Sequence, residues 1–156
     1  MHFSRILIAT DLSSAAQSAF ELAAYESKME GTELILLHVH RIQEPIFFEM
    51  MSSPEPKLFT EYTDIYRDKA QSKLQEFAAM HFHGQKVRCE VVVSRDDVAE
   101  GVCKFAADEK CDLIVMGSRG HTTLGALFLG SVAQRVLLLS KCPTLIVPPA
   151  ERAAQS

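Results

Sequence analysis

No stretch of this 156-residue chain approaches the 18 or so apolar residues that a membrane-crossing helix needs. The start, MHFSRILIATD, holds only about six apolar residues before a charge, too few for a signal-peptide core, so the expected location is the cytoplasm. Cysteine is sparse. Cys89, Cys103, Cys111 and Cys142 form no CxxC pair, which argues against a zinc or redox dithiol and predicts reduced, mostly buried thiols. Basic residues are in the minority, 16 against 20 acidic for a net charge of -4, so the basic face on which duplex nucleic-acid affinity rests is missing. An anionic ligand would have to be held locally. The chain also lacks a GxxxxGK[ST] loop, a GxGxxG after its first strand, a GxSxG elbow and an HExxH pair.

What is present is an ordinary globular composition, 47% hydrophobic and 23% charged, in a chain of about one domain's length. A domain of this size buries roughly two-thirds of the surface its unfolded chain exposes and needs no disulfide or metal staple. One domain over residues 1–150 is expected, with 151–156 as a disordered tail.

Residues 5–9 (RILIA) form a short apolar run closed by the turn signal Thr10-Asp11, which reads as a buried strand. Over 13–30 the apolar spacing changes to three and four (Ala16, Ala19, Phe20, Ala23, Ala24), and Gly31 stands where a C-cap belongs, which predicts a helix. Residues 33–39 (ELILLHV) are again a near-continuous apolar run, which suits a parallel strand buried on both faces. Pro45, Pro54 and Pro56 surround the apolar patch Ile46-Phe47-Phe48-Glu49-Met50-Met51, and residues 41–56 predict the longest loop. Phe59, Tyr62, Tyr66, Ala70, Leu74 and Phe77 mark one face of an amphipathic helix to about His81, with Gly84 ending it. Then come a strand at 87–94, a helix at 96–109 with Asp96 as N-cap, a strand at 113–116, a short helix at 131–139 and a last strand at 144–147. Strands alternating with helices, without a tight hairpin signal, give an α/β domain with a parallel sheet.

In such sheets ligands sit beyond the carboxyl ends of the strands. The fourth strand runs into Met116-Gly117-Ser118-Arg119-Gly120 and, ten residues on, Gly130-Ser131-Val132. Gly117 and Gly120 let the backbone leave the strand tightly, approach a bulky ligand and take a positive φ where needed. Gly130 and Ser131 open a helix, whose free N–H groups and dipole favour phosphate oxygens, with the Ser131 hydroxyl as a further donor. Taken alone, four scattered glycines serve turns and close packing as readily as a ligand.

The spacing Gly117-x2-Gly120-x9-Gly130-Ser131 is similar to the full nucleotide signature of the universal stress protein family. The resemblance extends to a first strand ending Ala9-Thr10-Asp11, a second ending His38-Val39, and the closing Cys142-Pro143-Thr144-Leu145-Ile146-Val147-Pro148. It implies a single Rossmann-like, adenine nucleotide α-hydrolase-like domain with a five-stranded parallel sheet and helices on both faces. It also implies ATP as ligand, with or without Mg2+, and a homodimer through the last strand. Carried over residue by residue, Gly117, Gly120, Gly130 and Ser131 would meet phosphates and ribose, with Met116 and Val132 beside them. Asp11, following Ala9 and Thr10, matches the family's acidic residue, and Val39 its adenine-contacting position. Many members follow that aspartate with Gly-Ser, whereas this chain has Leu12-Ser13, so the mouth of the pocket is expected to differ.

Other roles stay open. Asp11 can cap the first helix or accept from a ribose or adenine. Arg119 offers a forked donor to phosphate or is simply solvated. His38 with His40, and His81 with His83, have no acidic or cysteine partners at a metal-site spacing, so no metal is expected. The patch at 46–51 is a partner surface, a lid, or a loop covering its own core. Without a P-loop lysine or an evident base, any ATP hydrolysis is expected to be slow. The leading reading is a nucleotide-responsive binding module with no catalytic residues. A slow ATPase, and a nucleotide-independent interaction protein with an unknown protein partner, stand as alternatives.

Overall fold

The computed structural model describes residues 2–28, 31–52, 57–119 and 129–149. Strands β1 (Arg5–Ala9), β2 (Glu33–Arg41), β3 (Val87–Ser94), β4 (Leu113–Gly117) and β5 (Thr144–Val147) pair in parallel in the order β3-β2-β1-β4-β5. The connections carry helices α1 (Gln17–Glu26), α2 (Glu44–Ser52), α3 (Lys57–His81), α4 (Val98–Asp108) and α5 (Ser131–Leu139). Strand residues alternate between two apolar layers, which is why the central strands β1 and β4 read as apolar runs. Leu7, Ala9, Ile35, Leu37 and Val39 pack under α4 and α5. Ile6, Ile8, Leu34 and Leu36 pack under α1 and α3 with Phe20, Leu74 and Phe82. Five parallel strands with helices on both faces are the architecture that the family resemblance implied.

Several boundaries differ from the sequence reading, each for a local reason. The stretch expected to be a loop at 41–56 holds two regular pieces: β2 continues to Arg41, paired with Ser94, and Glu44–Ser52 is α2. Pro45 stands in the first turn of α2, where a missing N–H leaves no bond unmade. Phe47 packs edge-on against Phe59 of α3, with ring centroids 5.8 Å apart, and the Arg95 guanidinium lies 3.8 Å from the Phe47 ring centre. Residues 53–56 lie outside the described residues.

The helix expected over 13–30 is a single 3-10 turn, Ser14–Ala16, followed by α1, with Ser27 as C-cap rather than Gly31. The Ser27 hydroxyl donates to Ala24 O at 3.1 Å, a local bond that competes with continuing the helix. Asp97, not Asp96, caps α4: its Oδ1 accepts from Ala99 N at 3.0 Å, while Asp96 N is occupied by Ser94 Oγ. Of the four free cysteines only Cys111 is buried, and burial pushes its thiol up to about 11; the other three are half-buried. The tail at 151–156 lies outside the described residues.

Candidate functional site

The strand order reverses between β1 and β4, since β1 leads to β2 on one side and β4 to β5 on the other. Loops leaving two such neighbours part and leave a crevice at the carboxyl ends. Here it is a cavity of about 260 Å³. Ala9, Thr10, Asp11, Val39, Met116, Gly117, Arg119, Gly130, Ser131 and Val132 all line it, so ten positions singled out from the sequence meet at one place. Gly120 and His121 lie outside the described residues.

The first wall is the exit of β1. Thr10 N donates to Leu37 O at 2.9 Å, and Thr10 Oγ1 accepts from Leu12 N at 3.1 Å. Asp11 is not the helix cap, a position held by Ser13. Its Oδ1 accepts from Ser13 N at 3.0 Å and Ser13 Oγ at 2.5 Å, an Asx turn that holds the carboxylate at the rim.

The second wall is the end of β2. In a parallel ladder a residue's N–H and C=O point to the same side, and Leu37 O pairs with Thr10, so Val39 faces that side too. The β1 pairing stops at Ala9 opposite Leu37. Val39 therefore offers a donor and an acceptor where β1 has ended. Val98 and Val102, one turn apart on α4, add an apolar flank. The sequence reading did not single them out, although their spacing of four marks an inward helical face.

The third wall is the start of α5. Gly130 N donates to Ser118 O at 2.8 Å, and Ser118 N donates to Val147 O at 2.8 Å, which ties the helix start to the exit of β4 and the end of β5. Gly130 brings no capping side chain, so the N–H groups of Ser131, Val132 and Ala133 point from the first turn toward the cavity end that these residues line.

Gly117 and Gly130 act by fit rather than by φ. Gly130 has φ −61°, and among the described glycines positive φ occurs only at Gly31 and Gly84. A Cβ on Gly117 would stand 3.3 Å from Arg119 O, and one on Gly130 3.2 Å from Ser118 O. The left-handed residue at the site is Leu12, φ 66°, at the place where the family resemblance leads one to look for glycine.

Behind the first wall, His38 is buried with its Nδ1 2.9 Å from Thr10 O and its Nε2 2.8 Å from Tyr66 Oη. The next inward-facing residue, His40, stacks on the Tyr66 ring at 3.7 Å between centroids and contacts Tyr62 Oη through Nε2 at 3.2 Å. Burial, and then His38, holds the His40 imidazole below its usual range; burial, and then Tyr62, pushes the Tyr66 phenol up. These histidines are engaged with tyrosines, and no group of three or more His, Cys, Asp or Glu side chains among the described residues is placed to hold a metal ion.

Comparison with known proteins agrees over almost the whole chain. The family model described as "Universal stress protein family" matches residues 2–148. A universal stress protein of Thermus aquaticus, named for its place in the QAH/OAS sulfhydrylase 3'region, is 31% identical, with 93% of this chain and 98% of the relative covered. The solved structure of the protein MJ0577, a universal stress protein of Methanocaldococcus jannaschii, is 30% identical with a TM-score of 0.79, covering 95% of this chain and 97% of that one. Two further structures share the fold: a universal stress protein in complex with cAMP (21% identical, TM-score 0.60, 96% and 100% covered) and one from Archaeoglobus fulgidus in complex with dAMP (20%, 0.58, 94% and 98%).

Proposed function

The chain belongs to the universal stress protein family, and from that premise we propose that its cavity binds an adenine nucleotide, ATP with Mg2+, and that occupancy makes the protein a nucleotide-responsive module of stress resistance. One observation carries this reading: an apolar cleft with a backbone donor and acceptor at Val39 opens at its other end onto the first turn of α5. A donor beside an acceptor complements the N1 and amino edge of adenine, and helix N–H groups suit phosphate oxygens. A volume of about 260 Å³ stands just below the usual range for small-molecule clefts, roughly 300–1,000 Å³, which suits a base and sugar inside with phosphates reaching outward along α5. Asp11 at the rim accepts from ribose hydroxyls, while Ser131 and Arg119 supply further donors to the phosphates. The cAMP and dAMP complexes of related folds support an adenine nucleotide over other anions.

Calorimetry with ATP and magnesium tests the reading, and absence of binding at millimolar concentration overturns it. Gly130→Ala crowds Ser118 O and lowers the affinity. Turnover of labelled ATP, lost together with binding in that variant, would move the protein to the slow ATPases.

Two surfaces support protein contacts. Strand β5 is an outer strand with Leu145 partly exposed, and Leu137, Leu138 and Leu139 of α5 are exposed beside it, which favours pairing with a second copy through β5. Light scattering that reports a monomer at micromolar concentration rejects the dimer. Ile46, Phe48 and Met51 of α2 are also exposed, and they favour the nucleotide-independent interaction reading. Partner capture that survives loss of ATP binding but not Phe48→Ser would establish it.

A further inference from the structure

We infer that His38 and Tyr66 are positioning residues for the nucleotide pocket: together they fix the Thr10–Asp11 peptide and so set where the Asp11 carboxylate stands. Thr10 O can only accept, so at 2.9 Å His38 Nδ1 must carry the proton and donate. In the neutral ring Nε2 is then the acceptor, and the Tyr66 hydroxyl donates to it at 2.8 Å. The tautomer is thereby dictated by a backbone carbonyl on one side and a phenol on the other. Tyr66 is itself held in place by the His40 ring stacked on it at 3.7 Å.

The geometry at Thr10 shows why such a support is needed. Where β1 ends, the chain turns through Leu12 at φ 66°, a left-handed conformation that is strained for an L-residue. A strained turn persists only where its surroundings over-determine it. All three polar groups of Thr10 are committed: N to Leu37 O, Oγ1 to Leu12 N, and O to His38 Nδ1. Of these, only the last comes from a side chain on another element. His38 lines the cavity as well, but both of its ring nitrogens are turned to Thr10 O and to Tyr66 Oη of α3, so the ring acts on the ligand through the Thr10–Asp11 peptide.

The experiment combines ring 15N shifts of His38 in the intact protein with ATP-magnesium calorimetry of three variants. Asparagine can place its amide nitrogen near the position of Nδ1, whereas leucine cannot donate and Tyr66→Phe removes only the hydroxyl. The wild-type spectrum should show a pyrrole-type Nδ1 and a pyridine-type Nε2. His38→Leu should shift the backbone amides of Asp11 and Leu12 and weaken ATP about tenfold, the loss of one buried hydrogen bond. His38→Asn should restore the amide positions and most of the affinity, and Tyr66→Phe should move the Nε2 resonance in a folded protein. A wild type with the proton on Nε2, or a His38→Leu protein with unmoved Asp11 and Leu12 amides, overturns the inference. The affinity arm rests on the adenine-nucleotide reading. If wild type binds no ATP that reading alone falls, and the ring and amide shifts still decide the role of His38.

Discussion

Gly101 of α4 lies against Val39 of β2 so closely that a Cβ at Gly101 would stand 2.8 Å from Val39 Cγ1. Helix and strand meet there so closely that any side chain at 101 would force Val39 to shift, and they do so beside the cavity that Val39 and Val102 line.

Gly101→Ala should therefore destabilise, against the usual effect of replacing a helical glycine. The helix gains about 1 kcal/mol of propensity, but overpacking a filled core costs about 1–3 kcal/mol. A net loss of about 1 kcal/mol in urea unfolding, with weaker ATP binding as α4 lifts from Val39, is the expected result. A stabilised variant with unchanged affinity would show that the contact yields without cost.

Leu12 should rank with glycine rather than with a β-branched residue. Its φ of 66° is costly for any side chain, yet the Leu12 side chain packs on the α1 layer. Leu12→Gly relieves the strain but gives up burial and adds freedom to the unfolded chain, so it should remain within about 1 kcal/mol of wild type. Leu12→Val, stiff at χ1 and poorest in this region, should lose about 1–2 kcal/mol. Equal stabilities for Leu12→Val and Leu12→Gly would contradict the strain.

Lys110 closes α4 in the left-handed region, φ 54°, with Lys110 N bonded to Ala107 O at 3.1 Å and Cys111 N to Ala106 O at 2.8 Å. This is a Schellman ending whose left-handed position carries lysine in place of the usual glycine. The side chain is exposed, so Lys110→Gly should stabilise by about 0.5–1 kcal/mol without touching the pocket. Thermal melts of the two proteins decide it.

At the opposite end of the sheet, Arg88 Nη2 donates to Glu109 Oε2 at 2.6 Å, and this hydrogen bond chiefly holds the Glu109 carboxyl below its usual range. A carboxyl depressed on folding contributes stability above its unfolded pKa, near 4.3, and loses it as the pH falls through the folded value. The stability of the wild type should thus fall as the pH drops below about 5, and Arg88→Met should flatten that part of the profile while lowering stability at neutral pH. Urea midpoints of both proteins between about pH 3 and 7 check the sign.

The centre of the sheet was legible because β1, β2 and β4 are buried on both faces. ILIA and LIVM carry no polar interruption, as a parallel strand between two helix layers allows. The region after Arg41 was misread because a run of six residues with five apolar shows neither a helical nor a strand period, and prolines around it suggested a loop. Packing of Phe47 between Phe59 and Arg95 decides for helix, and neither contact is local. At the site, glycine and serine positions were visible through their spacing, but the reason for them was not. Gly130 is needed because Ser118 O lies 3.2 Å from where its Cβ would be, a distance between residues that the sequence places twelve apart.

By itself, the sequence determined the five strands, their alternation with helices and family membership, since these depend on local apolar runs and on the spacing of a few residues along the chain. Tertiary structure alone decided which groups meet. It brought Asp11, Val39 and the first turn of α5 around one cavity, pressed Gly101 onto Val39, and set the His38 ring between Thr10 O and Tyr66. The physical reason is that contact distance and hydrogen-bond direction arise from the crossing of elements over a twisted sheet, and no residue carries that information within its own neighbourhood.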